Sequence, residues 1–245
     1  MKAKWFAQQD VLQQGLSVRQ AATSLQVART TPFRWRPRFS QLTQPVKALE
    51  LTGVVEADET FFLRSNKGQS TGRKAHKSGG RASRTQRGED LIPILVARDR
   101  SGETADFLLE AVSKACLSQA LASRVHSDAV LCTDGSAAKA GAAQNMGVQH
   151  EPVNLSAGAR VRGPWHIQNV NSHHGRFKQW MARFKGVATS RLENYLGWFS
   201  ELNCAIKQRS KSVPMLALAL GLQTIVEFQE IISQPEAGRC SERGR

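Results

Sequence analysis

Cysteine is scarce in this chain of 245 residues. The four present, at positions 116, 132, 204 and 240, form no CxxC pair, which argues against a structural zinc site and against a disulfide framework. The longest apolar run, 213–226, is shorter than the roughly 20 residues that cross a bilayer. The amino terminus lacks the apolar segment of a secretory signal. These absences predict a cytoplasmic protein without a membrane partner.

Acidic residues are also few. Twenty Asp and Glu stand against 34 Lys and Arg, so the formal net charge is +14 with histidine neutral. Such a surplus makes nucleic acid the leading candidate partner. The hydrophobic fraction of 40% excludes a wholly disordered basic tail. The length predicts one main domain with a small appendage.

Residues 1–39 are predicted to form a small helical module. A first helix stops at Gly15, Ser17 caps a second, and a basic aromatic segment would supply the recognition helix of a helix-turn-helix, ending at Pro37. The alternative is a helical hairpin whose arginines only face solvent. The candidate DNA-binding residues here are Arg29, Arg34 and Arg36.

The rest of the chain is predicted to form an α/β domain. After a linker at 40–52, strands are expected near 53–62, 92–99 and 103–109, then a helix, a strand at 129–134, a helix ending at Gly147 and a further strand. This order indicates a mixed sheet flanked by helices. The domain is assigned to 53–205, and 206–245 to a C-terminal helix and basic tail.

A basic loop is expected at 64–88, between the first two strands. It holds eight Lys or Arg, five glycines and no acidic residue, so it cannot pack a core. Charge of a single sign favours phosphate contact over the alternative, a solubilising insertion. The candidate contacts are Arg73, Lys74, Lys77, Arg81 and Arg84.

Two aspartates are candidate metal ligands. Asp58 lies within the first strand, and Asp134 ends the strand AVLCTD immediately before Gly135. Ligands of α/β sheets bind at the carboxyl edge of the strands, and paired carboxylates suit Mg²⁺. Taken singly, each aspartate has a plainer interpretation as a turn residue.

The predicted helix near 166–184 carries two further candidates. Asn171 and Lys178 are seven residues apart, so they lie on one flank beside an apolar stripe, where an amide oxygen and an ammonium group can meet a metal and a phosphate. Asn169 competes with Asn171 but has no lysine at that distance. His174 is expected in the core and His173 towards solvent or DNA.

These segments resemble a known family. The strings VVEADETFFLRSNKG, CTDG and HIQNVNSHHGRFKQWMARFKGVATSRLENYLGWF are similar to the ISXO2-like insertion-sequence transposases, and the similarity covers roughly residues 10–205. The resemblance implies a ribonuclease-H-like domain whose signature is two aspartates, a glutamate or asparagine, and a lysine seven residues later. Asp58, Asp134, Asn171 and Lys178 fill those places. Members usually also carry a zinc ribbon with paired CxxC motifs before the helix-turn-helix, which this sequence does not contain.

The resemblance also implies a reaction. A transposase would use Mg²⁺ or Mn²⁺, held by Asp58, Asp134 and Asn171, to cut double-stranded DNA at the ends of the element and join them to target DNA. A nucleoid-associated homo-oligomer would carry this out. Two other interpretations stay open. The first is a non-catalytic helix-turn-helix regulator, of which a shortened, inactive transposase would be one case. The second is a nuclease or resolvase that cuts DNA strands without joining them.

Overall fold

The computed structural model describes residues 2–41, 48–68, 90–153 and 161–208. The chain divides into two compact units, Val46–Leu196 and Met1–Pro45 with Gly197–Arg245. Pro45 falls inside the predicted linker, and Leu196 falls before the predicted domain end at 205. The apolar run at 213–226, within the predicted C-terminal helix and tail, and the basic loop from residue 69 onward lie outside the described residues.

The larger unit is organised around a mixed sheet, whose five strands in the described residues follow the order β3-β2-β1-β4-β5. Strands β1, β2 and β3 pair antiparallel, whereas β4 pairs parallel to β1 and β5 parallel to β4. This is the order and direction of a ribonuclease-H-like sheet, which confirms the predicted fold class. The strands are β1 (Val54–Leu63), β2 (Leu91–Asp99), β3 (Thr104–Leu108), β4 (Val130–Thr133) and β5 (Gln149–Pro152).

Helices cover both faces of this sheet. Alternation along β1 points Val55 and Ala57 into an apolar core shared with α4 (Lys114–Ala122) and α5 (Ala137–Met146). The opposite face meets α6 (Gln168–Ala182), where the rings of Phe62 and Phe177 lie 5.2 Å apart between centroids. A 3₁₀ turn (Thr189–Arg191) and α7 (Leu192–Gln208) follow. Gly147, with φ of 68°, ends α5 as predicted.

The smaller unit begins with three helices, α1 (Lys2–Gln13), α2 (Val18–Leu25) and α3 (Thr30–Gln41). The Ser17 side chain accepts from the backbone N–H of Gln20, whose side chain accepts from the N–H of Ser17, so a capping box starts α2. The prediction that Pro37 ends the third helix was wrong, because Pro37 lies inside α3. Burial of Phe39 and Ser40 beyond it offsets the hydrogen bond that proline removes.

Among the described residues, no helix is both long enough and apolar enough to span a bilayer.

Candidate active site

The pairing of β1 with β4 brings the two candidate aspartates together. The parallel register runs from Val54 opposite Val130 to Glu56 opposite Cys132, so Asp58 and Asp134 each lie two residues beyond the last pair. Gly135 turns the chain with φ of 79°, and a Cβ there would lie 3.1 Å from Pro152 Cβ. The N–H of Ser136 then donates to Asp134 Oδ1 at 3.0 Å, which orients this carboxylate at the start of α5.

A buried lysine joins these carboxylates. Lys139, in the first turn of α5, has a side chain only 2% exposed, and its Nζ lies 2.6 Å from Asp58 Oδ1 and 3.0 Å from Asp134 Oδ1. Its third contact is Glu59 Oε2 at 2.7 Å. An ammonium group has three N–H donors, so these three carboxylates satisfy it fully.

The sequence reasoning missed Lys139 and Glu59. Lys139 is the single charged residue of the alanine-rich helix α5, and this isolation was the available signal. Burial opposes protonation of Lys139, yet the charge of Asp58 and the hydrogen bonds to Asp58 and Glu59 outweigh it and raise its pKa. Burial raises the pKa of Glu59, although Lys139 opposes that shift, and Glu59 Oε1 is buried without a hydrogen-bond partner in the described residues.

A second buried carboxylate lies beneath α6. Glu56 is 0% exposed, and its Oε2 accepts from the backbone N–H groups of Asn169 at 2.8 Å and Val170 at 3.1 Å. Its Oε1 accepts from Asn169 Nδ2 at 2.8 Å and from Arg100 at 2.8 Å. By the alternation along β1, Glu56 lies on the same face of the strand as Asp58, but no local pattern indicates its partner. These bonds also assign Asn169 to a structural role.

Asn171 and Lys178 lie together on the exposed flank of α6, as their spacing predicted. Among the described residues, no hydrogen bond or ion pair joins either side chain to Asp58 or Asp134. The pKa of His174, between them on the helix, is lowered to about 4 by burial, while the charge of Asp58 opposes this shift and that of Lys178 adds to it. The charges of Asp58 and Lys178 therefore both act on the pKa of His174, in opposite directions.

His173 differs from expectation. It was predicted to face solvent or DNA, but it is 2% exposed and its Nε2 lies 3.4 Å from Asp106 Oδ1 on β3. The prediction assumed one narrow apolar stripe, whereas α6 buries a wider surface because it packs across the sheet. His174 is 7% exposed, in the core as predicted.

The donor set suits a cation. In the described residues, no three or more His, Cys, Asp and Glu side chains are grouped so that they could hold a metal ion. Asp58 and Asp134 nevertheless direct one oxygen each towards a common positive charge, that of Lys139. Both side chains are also partly exposed, 19% for Asp58 and 36% for Asp134, so their carboxylates reach solvent. Carboxylate oxygens are hard donors, and those of Asp58 and Asp134 reach solvent, so these two residues fit a Mg²⁺ ion.

The candidate DNA-binding arginines of the helical module are not equivalent. Arg29 and Arg34 are exposed, whereas Arg36 is only 3% exposed. Its NH2 donates to Leu16 O at 2.7 Å, and its guanidinium lies 5.0 Å from the ring centroid of Trp198. Arg36 therefore stabilises its own unit, and this contact replaces the predicted surface role. Arg73, Lys74, Lys77, Arg81 and Arg84 lie outside the described residues.

Comparisons with known proteins point in one direction. Residues 50–200 match the family described as the ISXO2-like transposase domain. A relative, an uncharacterized protein in transposable element ISH50 of Halobacterium salinarum, is 28% identical over 200 residues, which are 80% of this chain and 67% of the relative.

Solved structures give weaker likenesses. A chain of the simian T-cell lymphotropic virus intasome in complex with PP2A regulatory subunit B56 gamma is 13% identical, with a TM-score of 0.38, over 63% of this chain and 50% of that chain. A pre-cleavage Mos1 transpososome gives a TM-score of 0.30 at 14% identity, over 78% of this chain and 73% of that one. The chain thus spans half the length of the first of these structures.

Proposed function

Because the chain belongs to the ISXO2-like transposase family, we propose that it cleaves the ends of an insertion sequence and joins them to target DNA, using divalent metal ions. The observation that carries this proposal is the convergence of Asp58 and Asp134 on one cation, the ammonium group of Lys139. A regulator that only binds DNA has no use for such an arrangement.

The metal would be held by the carboxylates of these two aspartates. Lys139 contacts one oxygen of each, and both side chains are partly exposed, so a second oxygen of each could bind Mg²⁺ or Mn²⁺. Asn171 would add a neutral amide oxygen from α6. When bound, the metal supplies positive charge at the scissile phosphate and makes the attacking hydroxyl group more acidic.

Other residues would bind the DNA itself. Lys178, exposed seven residues after Asn171, would contact a phosphate near the cleavage point as a point charge. Arg29 and Arg34 would contact the duplex from the helical module, and the basic loop would add sequence-independent phosphate contacts. Two ends joined in one reaction must be held together, so the active form would be a homo-oligomer on double-stranded DNA.

The test is cleavage of duplexes that carry the sequences bordering the gene, with Mg²⁺ or Mn²⁺. Asp58→Ala and Asp134→Ala should each abolish cleavage while binding to the duplex persists, because the basic surface is unchanged. Asp128→Ala is the matched control, since the Asp128 side chain is 88% exposed at the turn before β4. Wild-type cleavage by either site variant would refute the assignment.

The reaction products separate the alternatives. Joined strands support a transposase, cleavage without joining indicates a nuclease or resolvase, and binding with no metal-dependent product indicates a regulator. Each outcome is read on the same gel, with the same duplexes.

A further inference from the structure

One carboxylate accepts hydrogen bonds from two backbone N–H groups at the start of α6. The N-cap residue of this helix, Ile167, has no side chain that can cap it. Glu56, on β1, supplies the missing acceptor. Its Oε2 accepts hydrogen bonds from the N–H groups of Asn169 and Val170 at 2.8 and 3.1 Å. Four N–H groups at a helix start lack partners within the helix, and a negative charge there is also favoured by the helix dipole.

Arg100 and His166 lie against this carboxylate. Arg100 NH1 lies 2.8 Å from Glu56 Oε1, and His166 Nδ1 lies 3.3 Å from the same atom. Arg100 also donates to the carbonyl of Pro164 at 2.9 Å, so the chain that enters α6 is tied to the same cluster. Glu56 itself is fully buried, and a buried charge with this many partners permits little movement.

The spacing connects this cluster with the candidate metal site. Asp58 lies two residues after Glu56 on β1, and Asn171 lies two residues after Asn169 on α6. The Glu56–Asn169 contacts thus join β1, which carries the proposed ligand Asp58, to α6, which carries the proposed ligand Asn171. A shift of α6 along the strand would therefore change the distance between these two proposed ligands.

We infer that Glu56 is a positioning residue for metal binding, which fixes α6 against β1 so that Asn171 and Asp58 reach the same ion. This inference rests on the proposed function. Glu56 touches neither DNA nor the reacting atoms in this role and acts through Asn171. A purely structural ion pair would instead stabilise the fold and leave metal affinity unchanged.

The test substitution is Glu56→Gln in the full chain. Glutamine keeps the size and can still accept from the two backbone N–H groups through its one oxygen, but its NH₂ group would face Asn169 Nδ2 and Arg100, which are also donors. Mn²⁺ affinity is measured by electron paramagnetic resonance without DNA. We expect the dissociation constant to rise about tenfold, equal to about 1.4 kcal/mol. The control is Glu103→Gln, because Glu103 is exposed, and it should leave the affinity unchanged.

Asn171→Ala completes a double-mutant cycle. If Glu56 acts through Asn171, Glu56→Gln should change Mn²⁺ affinity less than twofold when Asn171 is already alanine. An equal loss in both backgrounds would overturn the inference, as would a lower melting temperature with unchanged Mn²⁺ affinity. Wild-type protein that binds no Mn²⁺ would instead refute the proposed function and this inference with it.

A milder variant, Asn169→Ala, tests the inference even if Glu56→Gln does not fold. Asn169→Ala removes only the side-chain bond to Glu56 Oε1 and leaves the ion pair between Glu56 and Arg100 in place. It should weaken Mn²⁺ binding in the same direction by about threefold, or about 0.7 kcal/mol. Unchanged affinity in this folded variant would count against the positioning role even if Glu56→Gln cannot be purified.

Discussion

Lys139 Nζ lies 2.6 Å from Asp58 Oδ1, so a buried positive charge contacts one of the three proposed metal ligands. The same nitrogen contacts Asp134 and Glu59. Three carboxylates around one ammonium group leave a surplus of negative charge, which a divalent cation would neutralise. Lys139 therefore holds the two aspartates together before any metal binds.

Lys139→Met should destabilise the fold. It keeps the aliphatic chain but leaves three carboxylates to repel one another, and because two of them are partly exposed we expect a loss of roughly 2 kcal/mol in the free energy of unfolding. Mg²⁺ should raise the melting temperature of this variant more than that of the wild type, because the ion replaces the missing charge.

The control is Lys114→Met on the exposed side of α4, which should leave both quantities unchanged. Melting curves with and without Mg²⁺ decide the matter. Equal melting temperatures for Lys139→Met and wild type would show that the ammonium group does not hold the carboxylates.

Asn171 can be tested by two substitutions with opposite expected results. Asn171→Asp keeps an oxygen and adds a charge, so cleavage should persist and need less Mg²⁺. Asn171→Leu keeps the approximate size without a donor and should be inactive at any attainable Mg²⁺ concentration. Mg²⁺ titrations of cleavage measure both effects.

Thermal melts of the same variants exclude a fold defect. Asn145→Leu, at an exposed position of α5, is the control for an added apolar side chain. Full activity of Asn171→Leu would remove this residue from the site, and parallel losses of melting temperature in both variants would indicate a structural asparagine.

The sequence predicted local elements better than long-range contacts. Strand β1 and the turn after Asp134 follow from a period of two and from glycine, both local signals. The bond between Lys139 and Asp58 joins residues 81 positions apart, and that between Glu56 and Asn169 spans 113. No periodicity encodes which distant charge a buried carboxylate meets, so Lys139 and Glu56 were missed.

Pro37 and Arg36 show the same limit in the smaller unit. Pro37 predicted a helix end because proline usually interrupts helices, and Arg36 predicted a DNA-binding surface because arginine is usually exposed. Packing beyond Pro37 and the contacts of Arg36 with Leu16 and Trp198 override both tendencies. The Trp198 contact joins positions far apart in sequence, which no local rule detects.

Arg34 and Arg36 should therefore respond differently to glutamine. Arg36→Gln removes a buried hydrogen bond and a cation–π contact, so the free energy of unfolding should fall by roughly 1–3 kcal/mol. Arg34→Gln should leave stability unchanged, weaken binding to all duplexes and reduce the slope of log affinity against log salt by about 1. Melting curves and salt titrations of both variants measure these effects. The reverse pattern would show that Arg36, and not Arg34, contacts DNA.

The basic loop at 64–88 is expected from the sequence to contact DNA phosphates, and this expectation can be tested separately. Replacing its five candidates by glutamine should weaken binding to every duplex alike and flatten the salt dependence, because phosphate contacts carry little sequence information. An unchanged slope would identify the loop as a solvated insertion. The residues changed are Arg73, Lys74, Lys77, Arg81 and Arg84.

Glu201 should make the stability of the protein depend on pH. This residue of α7 is 3% exposed, and burial raises its pKa to about 7. The folded state therefore keeps a proton that the unfolded state releases near its ordinary pKa of about 4.3. The contribution of Glu201 to stability is therefore fully present below that value, falls as pH rises towards 7, and is lower by roughly 3 kcal/mol above it.

Glu201→Gln tests the sign of this effect, because glutamine resembles the protonated acid at every pH. The variant should match the wild type at pH 4 and exceed it in free energy of unfolding at pH 8, as measured by urea denaturation at both values. Glu193→Gln is the control, since Glu193 is exposed in the first turn of the same helix. If the wild type were instead more stable than Glu201→Gln at pH 8, the Glu201 carboxylate would have to be charged and stabilised in the fold, which is the opposite of what its burial implies.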